Sequence, residues 1–249
     1  MISVCVAVHN GEKFIKEQLD SILCQLGSDD EIVISDDGSV DRTIAILDRY
    51  HDKRIRVFNY VHTQKYRYTF DYATHNFANA IQQAKGDIIF LADQDDVWLP
   101  NKVERVMANM YDCDILLHGK IVVDEHKNVI RDFSMPRSGF FRNIISCTTT
   151  GCCTAFNRKI LKHILPFPQR GVGHDFWIGV YGGLYYKRKF LQEPLILFRR
   201  HGNNVTPSDT GSSNPISMRL RYRVIMLWAI VSGFCKVMML SIYKSLKNI

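Results

Sequence analysis

The 249-residue chain is 46% apolar and 23% charged, which excludes an intrinsically disordered polymer and leaves room for one large α/β domain or a domain with an appendage. Its 32 basic and 25 acidic residues give a formal net charge of +7, pointing to an anionic partner without choosing among nucleic acid, membrane and phosphorylated ligand. The seven cysteines are odd in number and irregular in spacing, with no Cys-x-x-Cys, so no disulfide framework or zinc site is expected and a reducing cytosol suits them.

Ile2–Val8 is a short Val-rich run, too short and too poor in preceding basic residues for a signal peptide, and it reads as a buried strand. It ends at the turn His9-Asn10-Gly11. Glu12 to Gln25 has Phe14, Ile15, Leu19, Ile22 and Leu23 on one helical face. Glu31–Ser35 predicts a second buried strand, ending in Asp36-Asp37-Gly38-Ser39. A helix is expected over Asp41–Tyr50 with Asp41 as its cap, then an alternating strand over Arg54–Tyr60. Thr74–Ala84 reads as a helix stopped by Gly86. Asp87–Ala92 is the most strand-like run and ends at Asp93-Gln94-Asp95-Asp96; Pro100 suits the first turn of the helix that follows.

Strands alternating with helices predict an α/β fold: a mostly parallel, Rossmann-like sheet with helices on both faces. Ligands bind such sheets beyond the carboxyl ends of the strands. Three strands end in polar clusters, so His9-Asn10, Asp36-Asp37 and Asp93-Gln94-Asp95-Asp96 are expected on one edge. Further along, Ile115–Val123 reads as a long strand or a strand pair. Ser146–Phe156 is a small-residue stretch leading to a helix near Lys159. Gly171-Val172-Gly173-His174-Asp175 is a Gly-rich turn, and Thr206–Pro215 reads as a linker.

Three carboxylates in four residues at a strand end repel one another, and a cation removes that cost. Hard oxygen ligands select Mg2+ or Mn2+ over zinc. The bland alternative is a solvated acidic turn or helix cap. At Asp36-Asp37 a carboxylate that accepts from a base or ribose hydroxyl stands against a simple turn cap.

Taken together these residues resemble a GT-A glycosyltransferase of family 2, over about residues 2 to 205. The resemblance rests on Val4-Cys5-Val6-Ala7-Val8-His9-Asn10-Gly11, on Ile34-Ser35-Asp36-Asp37-Gly38-Ser39-Val40-Asp41-Arg42-Thr43, and on Leu91-Ala92-Asp93-Gln94-Asp95-Asp96-Val97-Trp98. The Asp-Gln-Asp-Asp-x-Trp form, with Arg199-Arg200-His201-Gly202-Asn203-Asn204-Val205, is similar to bacterial enzymes of O-antigen and capsule synthesis. The resemblance implies inverting transfer of a sugar from a nucleotide-sugar, dTDP-rhamnose or a UDP-hexose, to a hydroxyl of a lipid-linked glycan. It implies Asp95 as holder of Mn2+ or Mg2+, with Asp93 on the ribose or a metal water. Asp37, with Asp36, would read the base, and His9, Asn10 and Glu12 would lie beside the nucleoside. His9 stands where many relatives have Tyr.

Inversion needs a carboxylate to take the acceptor proton opposite the leaving group. Relatives carry an acidic residue after a Gly-rich turn in the second half, so the resemblance implies Asp175 for this role, against a simple helix cap. Trp177 is weighed as acceptor platform or core, and Arg199 and His201 as diphosphate or metal contacts or as a surface loop. Rival readings are a nucleotidyltransferase, which lacks its basic Gly-rich loop here, and a non-catalytic sugar or lipid binder. Residues 1–98 form the expected donor half, 99–206 the acceptor half, and 207–249 a linker with an amphipathic helix. That helix, centred on Val224–Tyr243, borders on membrane-spanning length but is striped. It suits a peripheral place on the cytoplasmic face of the membrane, with no nucleic-acid partner.

Overall fold

The centre of the sheet consists of β1 (Ile2–Val8), β2 (Glu31–Asp36) and β4 (Ile88–Asp93), nearly all of whose residues are buried. A parallel strand covered on both faces must be apolar on both, which is why these runs are nearly continuous rather than alternating. Val4, Val6 and Val8 face α1 (Ile15–Leu23), whose Ile15, Leu19 and Ile22 supply the matching stripe. Cys5, Val33, Ile89 and Leu91 face the other way, onto Phe77, Ala80 and Ile81 of α3 (Thr69–Gln83). The Cys5 thiol is a small apolar filler there, and burial pushes its pKa far up. α3 ends at Gln83 with Ala84 extended, and at Gly86 a Cβ would lie 2.6 Å from Ser3 N, so the close approach to β1 requires glycine.

This is a computed structural model, and it describes the backbone of residues 1–136, 139–145, 149–202, 204 and 216–247. The expected linker over Thr206–Pro215 and the start of the 146–156 stretch lie outside the described residues. α2 (Thr43–Leu47) begins beside Asp41, whose Oδ1 accepts from Thr43 N at 2.9 Å, and β3 (Ile55–Asn59) follows it. The second half adds β5 (Val97–Trp98), α4 (Lys102–Met107), β6 (Ile115–Val123), β7 (Val129–Ser134), α5 (Phe140–Ile145), β8 (Thr154–Asn157), α6 (Leu161–Ile164), α7 (His174–Phe176) and β9 (Arg188–Arg199). α7 runs on into a π-helical turn, Trp177–Tyr181.

Among the described residues nine strands form one sheet in the order β3-β2-β1-β4-β8-β6-β9-β5, with β7 beside β6. The first four strands pair in parallel, as expected from their alternation with helices. β8 then enters antiparallel between β4 and β6, so the parallel pattern stops at β4. β6 is a single long strand that pairs in parallel with β9 and breaks register where Gly119 faces Pro194. Proline has no N–H to give to a ladder, so a bulge at this point is its physical consequence.

The last helix, α8 (Ile216–Lys247), buries Met226, Ala229 and Ile230 against the domain. Leu220, Val224, Leu227, Trp228 and Val231 form a second apolar stripe that faces outward, with Trp228 70% exposed. No helix among the described residues is long and apolar enough to cross a membrane.

Candidate active site

Val8 pairs with Asp36 across β1–β2, and Ala7 with Asp93 across β1–β4. Because the three strands are parallel, the loops after them leave the sheet at one edge, as expected from the sequence. Short polar side chains zip these loops together. Asn10 N donates to Ser39 Oγ (2.8 Å) and Val40 N to Asn10 Oδ1 (2.9 Å). Gly11 N donates to Thr43 Oγ1 (2.7 Å) and Glu12 N to Asp41 Oδ2 (3.0 Å). Asn10 holds φ 51°, a left-handed conformation that asparagine tolerates. Gln94 staples the third loop to the first: it accepts from His9 N at 2.8 Å and donates to His9 O at 3.0 Å.

The residues expected beside the nucleoside are thus gathered, but several carry structural loads. Asp36 is buried and accepts twice from Ser39, at Oδ2 from N (3.0 Å) and at Oδ1 from Oγ (2.5 Å), which closes its own turn. Glu12 accepts from Arg42 N and Nε at 3.0 Å and braces the start of α2; these bonds from Arg42 hold its carboxyl below the usual range. His9 Nδ1 lies 2.6 Å from Asp37 O. Asp37 turns its carboxylate to His62, with Nε2 2.6 Å from Oδ2. His62 received no role from the sequence, yet it sits within the rings of Tyr60, Tyr66 and Tyr72 and closes this side of the loop cluster.

The acidic cluster divides in two. Asp93, Asp96 and Cys152 bring two carboxylates and a thiol within 4.8 Å of one another. Burial, then the Asp95 charge, pushes the Asp93 carboxyl up to about 7, and the Asp175 charge adds to this. Burial and the same neighbouring charges raise Asp96 well above the carboxylate range. Burial likewise pushes the Cys152 thiol up, and the three donor atoms lie close enough together to share a cation. Beneath it Lys102 is fully buried. Its ammonium donates to Cys152 O at 3.0 Å and stands 4.0 Å from the Trp98 ring centroid, and burial depresses its pKa to about 8.

Asp95 points the other way. Its Oδ2 lies 2.8 Å from His201 Nε2 and accepts from Asn204 Nδ2 at 3.0 Å. The His201 ring packs on Phe14, with centroids 4.9 Å apart. A carboxylate beside an imidazole nitrogen is a donor set that suits a divalent cation with open positions.

Arg199, weighed between a diphosphate contact and a surface loop, has its guanidinium bonded into the frame. It is buried, donates to Asp95 O (2.8 Å), Glu125 O (2.9 Å) and the Glu17 carboxylate, and lies over the Phe14 ring. Its own N–H donates to Asp96 Oδ1 at 3.0 Å. Burial pushes the Glu17 carboxyl up, but bonds from Lys127 and Arg199 outweigh it and leave it below the usual range. Arg199→Ala leaves Glu17 with Lys127 alone and takes the donor from two carbonyls, and is expected to cost about 2 kcal/mol, read from the denaturant midpoint. Trp177, weighed between acceptor platform and core, is packed inside the domain: it is 4% exposed, its indole N–H donates to Ile164 O at 2.9 Å, and its ring stacks on Tyr181.

Asp175 lies in the first turn of α7, two residues after the cap position taken by Gly173, and its Oδ1 accepts from Phe176 N at 2.7 Å. Gln94, Lys102 and Asn204 were missed. Their partners are Gly11-loop backbone, Cys152 and Asp95, contacts between segments about 50 to 110 residues apart that leave no local signal.

A sequence model described as Glycosyl transferase family 2 matches residues 3–165. The chain is 25% identical over 237 residues to a dTDP-rhamnosyl transferase of Shigella flexneri, spanning 88% of this chain and 77% of that one. It is 24% identical over 169 residues to an Escherichia coli UDP-Glc:alpha-D-GlcNAc-diphosphoundecaprenol beta-1,3-glucosyltransferase, spanning 68% of this chain and 64% of that enzyme. In fold it is similar to Staphylococcus aureus TarS residues 1–349 in complex with UDP-GlcNAc, with a TM-score of 0.65 at 20% identity over 90% of this chain. The chain spans 65% of that TarS fragment, so it corresponds to just under two thirds of the length of that structure and of the E. coli enzyme.

Proposed function

The chain belongs to glycosyl transferase family 2, with the GT-A fold, and from that premise we propose that it transfers a sugar, with inversion, from a nucleotide-sugar to a glycan hydroxyl in cell-surface polysaccharide synthesis. The observation that carries the reading is the convergence, at one sheet edge, of the Asp37 loop, the Asp95–His201 pair and Asp175 near Asp93. The base and ribose lie along His9, Asn10 and Asp37, with Asp36 and Glu12 holding their loops in shape. Asp93 would contact the ribose or a metal-bound water, and residues 1–98 form the donor half. Asp95, with Asp93 and His201, would hold Mn2+ or Mg2+. When bound, the ion offsets the charge that develops on the departing diphosphate.

Asp175 takes the proton of the acceptor hydroxyl. The oxygen attacks the anomeric carbon as its bond to the diphosphate breaks, and the nucleoside diphosphate departs with that electron pair. Residues 99–206 form the acceptor half. The relatives' names supply UDP-glucose and dTDP-rhamnose as donor classes and a diphosphoundecaprenol-linked sugar as acceptor class. A screen of both donors with Mn2+ or Mg2+, reading nucleoside diphosphate release, tests the reading. Release of pyrophosphate instead would favour nucleotidyl transfer.

A lipid-linked acceptor makes membrane contact useful, and residues 207–249 supply it. Residues 210–249 contain six Lys or Arg and no acidic residue. The outward stripe of α8 runs Leu220, Val224, Leu227, Trp228 and Val231. An apolar stripe on a basic helix suits the surface of an anionic bilayer, on the cytoplasmic face where nucleotide-sugars are available. The double change Val224→Glu/Trp228→Glu spares the buried face and is expected to abolish cosedimentation with phosphatidylglycerol vesicles. Unchanged cosedimentation would remove this helix from the membrane contact.

A further inference from the structure

The loop that carries Asp175 is held from one side by a single face of α3. Gly171 N donates to Asp71 Oδ1 at 2.8 Å, and His174 N to Thr74 Oγ1 at 3.1 Å. His75 Nε2 lies 3.1 Å from Gln169 O. Positions 71, 74 and 75 share a face by helical spacing, so three successive side chains read the backbone of residues 169–174. One turn on, the Phe77 ring packs on His174 with centroids 4.3 Å apart.

Asp71 is the costly member. It is 1% exposed, Oδ2 has no hydrogen-bond partner among the described residues, and burial pushes its carboxyl up to about 6. A buried carboxylate with one oxygen unsatisfied is unfavourable by itself, and a Ser or Asn would cap the loop more cheaply. Gly171 has φ +73°, and a Cβ on it would lie 3.1 Å from Ile225 of α8. The loop is thus pinned at Gly171 between α3 and α8, four residues before Asp175.

We propose that Asp71 is a positioning residue for Asp175: its bond to Gly171 N, seconded by Thr74 on His174 N, fixes the start of α7 and so the direction of the Asp175 carboxylate. The proposal rests on Asp175 being the base. A base must lie within hydrogen-bond reach of the acceptor hydroxyl, and displacement of about 1 Å costs on the order of 10²-fold in rate.

The test uses the full chain with Asp71→Ala, Asp71→Asn, Thr74→Val and Asp175→Asn. It reads kcat on the productive donor and acceptor, the Kd of UDP with Mn2+, and amide hydrogen exchange over residues 169–176. Asp71→Ala is expected to lower kcat about 10- to 100-fold, to leave the Kd within about twofold, and to deprotect the Gly171 amide. Asp71→Asn keeps an acceptor oxygen and is expected to restore both kcat and protection; Thr74→Val deprotects His174 with a smaller fall in kcat. Native kcat and native protection in Asp71→Ala would overturn the proposal, as would loss of donor affinity equal to the loss of kcat. Full activity in Asp175→Asn would overturn the base reading and with it the catalytic part of the proposal, while deprotection in Asp71→Ala would still show that Asp71 holds the loop.

Discussion

Asp175→Asn is expected to abolish sugar transfer, lowering kcat on the order of 10³-fold while the protein folds and binds donor normally. The amide keeps the size of the carboxylate and one oxygen, so the bond from Phe176 N survives and α7 still starts at the same place. What is lost is the ability to accept a proton. An inverting enzyme has no second carboxylate that reaches the same face of the sugar, so no neighbour substitutes. Asp93 is the nearest candidate, but burial and the Asp95 charge hold it up at about 7, and it sits on the donor side of the site. Removing the Asp175 charge also relieves part of that upward push on Asp93. Donor binding with metal should therefore be unchanged or slightly stronger in the variant. Calorimetric Kd for UDP with Mn2+, set beside single-turnover rates, separates the two effects; turnover close to native would sink the assignment.

Asp95→Asn is expected to weaken metal-dependent UDP binding by more than about 100-fold, since loss of even an outer contact at a metal site costs 10- to 100-fold. The Asp95 carboxylate faces both His201 and Asn204. An amide there either presents its NH2 to the imidazole or leaves only a neutral oxygen for the cation. His201→Ala should give a smaller loss, because the carboxylate remains. Protons compete for the same site. With Asp93 raised from 3.8 to about 7 by burial and the Asp95 charge, its ionisation in the metal-free protein is unfavourable. The stability that its neutral form provides is complete below about pH 4 and is lost as the pH rises through about 7. A bound cation reverses that loss. The rise in Tm on adding Mn2+ with UDP should accordingly be larger at pH 8 than at pH 6, with affinity falling by up to about tenfold per pH unit below 7. Equal stabilisation at both pH values would exclude Asp93 from the metal site.

These two residues also mark how legible the site was. Asp95 and Asp175 stand in short local patterns, a carboxylate run after a buried strand and an acid after a Gly-rich turn. Arg199 carries no such label. A basic residue near a phosphate site and a basic residue locked under one look alike in sequence. The difference lies in Glu17, Glu125 and the Asp95 carbonyl, which are 182, 74 and 104 residues away. Trp177 repeats the lesson: platform and core differ only in whether Ile164 and Tyr181 cover the ring. The buried group of Asp96, Lys102 and Cys152 was invisible for the same reason, since burial of a charge is a property of its surroundings.

Amino-acid order alone determined the α/β class, the parallel first half and the gathering of three polar loops at one edge. Those follow from periodicity and from strands that must be apolar on both faces, which are local consequences of backbone geometry. Only the tertiary structure decided which polar side chains face open space and which are spent. It turned Asp95 toward His201 and Asp93 toward Asp96 and Cys152, inserted β8 antiparallel, and set the Asp175 loop on Asp71. Each of these depends on which distant groups satisfy a buried donor or acceptor, and that pairing exists only once the chain is closed on itself.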